Sequence, residues 1–112
     1  MNDVILLYTT WPNSEIAAEA GRSVVEEGLA ACANVLGAGV SIFMWQGRVE
    51  QAAETVLILK TTREAAPALR DRILELHPYD LPAVIALPVE AKASSAAFVG
   101  WVRSNCATPA AK

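Results

Sequence analysis

The thiols of Cys32 and Cys106 and the imidazole of His77 are the side chains best suited to metal binding or nucleophilic work. Imidazole suits copper, zinc and nickel, and thiolate suits soft ions. A strong site wants three or four such ligands, and near His77 the chain offers Glu75, Tyr79 and Asp80. Nothing in the order of residues brings either cysteine to His77, so Cys–His nucleophilic catalysis is not expected. Glycine-rich phosphate loops, Gly-x-Ser-x-Gly, Cys-x-x-Cys and His-Glu-x-x-His are all absent. His77 also has a plain reading. A histidine at a helix end caps carbonyls or packs beside a proline, or contacts a small anion or a neighbouring subunit.

Lys60 is a second candidate. It ends an apolar strand just before a helix start, where an ammonium and backbone amides converge on an anion. Trp45, Tyr79 and Trp101 are large aromatics in a chain with 6% aromatic content. They read as core or subunit-interface packing, or as the wall of a pocket.

These residues need elements to position them. Val4–Tyr8 is an unbroken apolar run and reads as a buried strand. Asn13 caps a helix with Glu15 in its first turn, and Ile16, Ala20 and Val24 form its inner face, with Ala17 and Val25 beside them. Gly28 stops it. Leu29–Leu36 and Val40–Trp45 form an interrupted strand with a bulge or bend at Gly37-Ala-Gly39. Gln46-Gly47 turns a hairpin into a return strand over Arg48–Thr62. At about 12 residues each, these strands exceed the usual five or six, so a partner must cover them. Thr61 and Glu64 suggest a capping box for a second helix, with Pro67 in its first turn and Ala66, Leu69, Ile73 and Leu76 on its inner face. Pro78 ends that helix, and Ala83–Val89 is the fourth strand. Three of the six prolines fall between Leu76 and Val89. Each fixes its own φ and pushes the preceding residue towards extended backbone. Ser94 or Ser95 caps a last short helix carrying Phe98, Trp101 and Val102, weakened by Gly100. Residues 107–112 read as a frayed tail.

The order β-α-β-β-α-β-α predicts an α+β fold. A four-stranded antiparallel sheet with two helices on one face is the ferredoxin-like arrangement. A chain of 112 residues is one domain, residues 1–112. Its hydrophobic share of 54% is high for a small domain and suggests oligomerisation. A net charge of −3, with nine scattered Lys and Arg, argues against nucleic acid. No apolar stretch is long enough to span a bilayer. Two cysteines build no disulfide framework and fit a reducing compartment.

Four segments together resemble the CutA divalent-cation tolerance proteins. They are Ala30-Ala-Cys-Ala-Asn34, Ser41-Ile-Phe-Met-Trp-Gln-Gly47, Leu57-Ile-Leu-Lys-Thr61 and Leu76-His-Pro-Tyr-Asp-Leu-Pro-Ala-Val-Ile-Ala-Leu-Pro88. The resemblance runs in order from about Val4 to Trp101. It implies a ferredoxin-like subunit in a homotrimer similar to the PII signalling proteins, with long strands pairing between subunits. It implies a cytoplasmic protein of divalent-metal tolerance, copper above all, and implies no known enzymatic reaction; weak or indirect binding of copper(II) or another divalent metal is our first expectation. His77 and Cys32 stand at family motif positions and are the implied metal ligands. Lys60, Trp45, Tyr79 and Trp101 stand at recurring positions and are implied to line clefts between subunits. Where some members carry a second histidine this chain has Leu76, and where some carry a cysteine it has Tyr8. A copper site would therefore borrow ligands across the trimer. The alternatives are a PII-like trimer that senses a small anionic ligand in those clefts, and a trimer that scaffolds a partner protein.

Overall fold

A computed structural model describes residues 3–106 of the chain. Strand β1 spans Val4–Trp11, helix α1 Ser14–Glu26, β2 Cys32–Trp45, β3 Arg48–Thr62, α2 Ala66–Leu76, β4 Val84–Pro88 and α3 Ala96–Ser104, with a 3₁₀ turn at Ala91–Ala93. The four strands form one sheet in the order β2-β3-β1-β4, antiparallel throughout. This is the expected ferredoxin-like architecture. The tail expected at residues 107–112 lies outside the described residues.

Alternation along the strands sorts the side chains onto two faces. Leu7, Trp11, Leu57 and Leu59 point to one face and meet Ala17, Ala20 and Val24 of α1 and Leu69 and Ile73 of α2. This is the main core. Gly21 lets α1 come close to the sheet, because a Cβ there would sit 3.1 Å from the Ala33 Cβ. The opposite face carries a smaller cluster of Val4, Val99 and Val102, where α3 covers one end of the sheet.

Local signals explain most boundaries. The Asn13 side chain accepts from the Ile16 N–H at 2.9 Å and starts α1. Gly28, at φ 77°, ends it as expected. Its N–H bonds the Val25 carbonyl while the Leu29 N–H bonds the Val24 carbonyl, a Schellman closure. Gln46 and Gly47 at φ 51° and 80° give the type I′ turn that matches strand twist. Leu36 pairs with Val56 and Gly39 with Glu54, so the glycine pair marks a bulge.

Three expectations are corrected. Strand β1 continues past Tyr8 to Trp11, because the Thr9 hydroxyl donates to the Leu57 carbonyl at 2.8 Å and can be buried. The capping box at Thr61 and Glu64 does not form. Thr61 is buried and donates to the Leu29 carbonyl, and Thr62 takes the cap by accepting from the Ala65 N–H at 3.2 Å. In α3 the buried pair is Val99 and Val102, while Phe98 and Trp101 stay exposed. Of the two candidate serines, Ser95 is the cap and accepts from the Phe98 N–H.

The hairpin outgrows the rest of the sheet. β2 and β3 are 14 and 15 residues long, but β1 pairs with β3 only as far as Thr55. The radius of gyration is 14.7 Å, against about 13 Å for a compact chain of this size.

Candidate functional site

His77 is the first residue after α2. Because Pro78 follows, its backbone is extended, at φ −80° and ψ 135°. That turn sends the ring back under the end of β1. There it stacks on Trp11, with centroids 4.1 Å apart and planes 26° apart. Trp11 is fully buried, and its indole N–H donates to the Thr9 hydroxyl at 2.6 Å. The Tyr79 ring, tilted by 48°, also meets His77, with centroids 4.9 Å apart.

Both imidazole nitrogens are engaged. The Tyr79 backbone N–H donates to Nδ1 at 3.2 Å, so Nδ1 is the acceptor. Nε2 therefore carries the proton and donates to the Thr10 carbonyl at 2.7 Å. Burial pushes the His77 pKa below its usual value, outweighing the Thr10 bond and the Glu54 charge, which pull it up. The Tyr79 hydroxyl donates to Glu54 Oε2 at 3.1 Å. Burial, then that bond and the Glu54 charge, raise the Tyr79 pKa. The bond ties the proline-rich turn to β3 where the bulge shifts its register.

A second cluster lies at the other end of β3. Cys32 and Lys60 are direct partners across β2 and β3. Lys60 Nζ donates to Cys32 Sγ at 3.8 Å, and the thiol donates to Asn34 Oδ1 at 3.8 Å. The same ammonium stands 5.2 Å above the Phe98 ring, which stacks on Trp101 at 5.4 Å. Cys106 reaches the Lys60 carbonyl at 4.0 Å and the Thr61 hydroxyl at 3.8 Å.

The candidate residues thus fall into separate places within one subunit. Lys60 pairs with Leu6 on β1, and His77 bonds Thr10, four residues further along. At 3.3 Å per residue that is roughly 13 Å between the Cys32 and His77 levels of the sheet. Tyr79 meets β3 at Glu54, roughly 20 Å from Lys60 on the same scale. Trp45 is at the hairpin tip, opposite Arg48. Among the described residues no group of three or more His, Cys, Asp or Glu side chains converges as a metal cage. A cationic ammonium beside Cys32 and a closed hydrogen-bond set around His77 do not fit a resident divalent cation inside one subunit.

Sequence reasoning missed Trp11, Glu54 and the pairing of Phe98 with Lys60. Trp11 carried one usable signal. It shares the odd-numbered parity of Leu7 on β1, which alternation assigns to the core face. Glu54 carried none, since its partner is a turn residue distant in sequence.

A family model described as CutA1 divalent ion tolerance protein matches residues 5–105. The chain belongs to the CutA1 family. The divalent-cation tolerance protein CutA of Thermus thermophilus is 39% identical over 105 residues, covering 94% of this chain and 98% of that protein. The crystal structure of CutA1 from Oryza sativa superposes with a TM-score of 0.89 at 33% identity, covering 96% of each chain. A structure of the PII-like protein CutA from Nostoc sp. PCC 7120 in apo form matches with a TM-score of 0.84 at 32% identity, covering 96% of this chain and 99% of that one. Against several mammalian and plant CutA relatives the chain spans about half their length. No helix among the described residues of this CutA1 member is long and apolar enough to cross a membrane.

Proposed function

We propose that this CutA1 chain acts in the cytoplasm as a homotrimeric, non-enzymatic protein of divalent-cation tolerance, with copper(II) as its principal ion. The observation that carries the reading is the family match over residues 5–105. The apolar side chains left open on the long hairpin support the trimer, because such strands need a partner to cover them. Metal contact is weak in this proposal and uses Cys32 and His77 with ligands borrowed from neighbouring subunits. His77 can contribute only if Nδ1 leaves the Tyr79 N–H. Calorimetric titration of copper(II) into the native trimer and into Cys32→Ser and His77→Ala variants tests this. Heat that falls in either variant is expected. Equal, negligible heat in all three would sink direct binding through these groups.

A second reading has its own support. The Lys60 ammonium contacts a thiol and an aromatic face and meets no carboxylate among the described residues. A trimer that senses a small anion would use such a cation, together with the aromatics Trp45, Tyr79 and Trp101 in clefts between subunits. Thermal-shift screening against carboxylates and nucleotides separates the readings. A response lost in Lys60→Ala but kept in His77→Ala favours the sensor.

A further inference from the structure

We propose that Cys32 and Lys60 form an oxidation site, which peroxide closes into a reversible covalent S–N cross-link between β2 and β3. The two residues are directly opposed across the antiparallel pair, and opposed side chains share one face of a sheet. Lys60 Nζ stands 3.8 Å from Cys32 Sγ. The Phe98 ring, its centroid 5.2 Å from the same nitrogen, holds the ammonium at that position. Both side chains are half-buried, so a small oxidant reaches them. The groups that trap an oxidised cysteine are thiols and nitrogen nucleophiles. Cys106 is placed differently, its sulfur contacting the Lys60 carbonyl and the Thr61 hydroxyl.

The chemistry balances with one hydrogen peroxide and no other reagent. The nucleophile towards peroxide is the thiolate. Its sulfur takes one peroxide oxygen, the O–O bond breaks, and Cys32 becomes a sulfenic acid. The departing hydroxide takes a proton from the Lys60 ammonium and leaves as water. That transfer frees the amine lone pair beside the new S–OH group. The lone pair attacks Sγ, the S–O bond breaks, and the hydroxyl leaves with an amine proton as a second water. Sulfur is oxidised by two electrons and peroxide is reduced by two. Sulfenic acids condense with nitrogen to sulfenamides in this way. The flexible lysine stem lets Nζ close on Sγ without moving either strand. Two thiols of a reductant restore the cysteine and the amine and leave as a disulfide. Because the bond removes the thiol and the positive charge together, oxidation would silence both uses of these residues proposed above.

The test is peptide mapping by mass spectrometry. The full chain and its Cys106→Ser variant are treated with hydrogen peroxide, their remaining thiols are blocked, and both are digested with trypsin. The variant holds a single cysteine, so no disulfide forms within its chain. Trypsin does not cut at a modified lysine. The cross-link should therefore join residues 23–48 to residues 49–63 in both proteins, lighter by two hydrogens than the two peptides together. The joined species should disappear on thiol reduction, in Cys32→Ser and in Lys60→Arg, and when peroxide is added to the denatured chain. Cys32 recovered as sulfinic or sulfonic acid, with Lys60 cut normally, would overturn the proposal. So would equal yields from folded and denatured chains, or a joined species that survives in Lys60→Arg. A joined species heavier by one oxygen would overturn the direct S–N bond. The native map and its denatured comparison decide the matter even where a variant fails to fold.

Discussion

Two hydrogen bonds and a stacked indole hold the His77 ring neutral. Protonation at Nδ1 would turn the nitrogen that accepts from the Tyr79 N–H into a donor, and burial makes the charged ring costly. Among titratable groups Tyr79 and Glu54 face the ring, and the Glu54 carboxylate only partly offsets burial. The folded pKa therefore lies below the unfolded value of about 6.5. A depressed histidine pKa means that the unfolded chain binds more protons. The contribution is complete above the unfolded pKa and is lost as pH falls through it towards the folded one. Melting temperatures from about pH 7.5 to about pH 5 should thus fall more steeply for the native chain than for His77→Phe, which keeps a stacked ring without titrating. Parallel curves would refute this. At this scale the sequence was partly legible. The prolines foretold the backbone at His77. The partners did not show, because Thr10, Trp11 and Glu54 are brought to the ring by sheet register and not by nearness in the chain.

At the scale of elements, boundaries followed local chemistry wherever a short-range bond decided them, as at Asn13, Gly28 and Gln46-Gly47. They were misread where tertiary burial redirected a side chain. Thr61 looked like a cap, but its register on β3 points it inward to Leu29, and Thr62 replaced it. The bulge offers a sharper test. A Cβ added at Gly37 would sit 2.6 Å from Ser14 Oγ and 3.9 Å from Ser14 Cβ. Ser14 Oγ also shares a 3.1 Å hydrogen bond with the Thr55 hydroxyl, so it is not free to turn away at no cost. Gly37→Ala should destabilise by about 1–2 kcal/mol, as overpacking does. In a Ser14→Ala background the same change should cost less, giving a measurable coupling in a double-mutant cycle by chemical denaturation. Additive effects would show that the helix start and the bulge are independent.

For the whole molecule, the exposed hairpin governs behaviour. Val40, Ile42 and Met44 lie on one side of β2, and Met44 pairs with Val49, so one face carries an apolar stripe. These four side chains are 61–69% exposed in the single chain. The length of these strands and the apolar share of the chain predicted a partner, but no pattern in one chain says which subunit face receives them. The combined variant Ile42→Lys and Met44→Lys places two charges on the stripe. Sedimentation of the native chain should give a trimer whose stability rises with concentration, and the variant should shift towards monomer. A variant trimer as stable as the native one would remove this stripe from the interface.

Strand β1 lies between β3 and β4, with both of its edges paired. Ile5 pairs with Thr61 on one side and with Pro88 on the other. The first strand of the chain therefore keeps an unpaired edge until the last strand, β4, has been made. The β2–β3 hairpin needs only its two-residue turn to begin zipping. Contacts so far apart along the chain close slowly, since loop entropy is spent before they form. Pulse-labelled hydrogen exchange during refolding should protect β2–β3 amides near the turn before those of β1. Simultaneous protection would contradict that order. During synthesis, β1 is the strand exposed longest to mispairing, and its apolar run makes it the segment on which a chaperone would most profitably act.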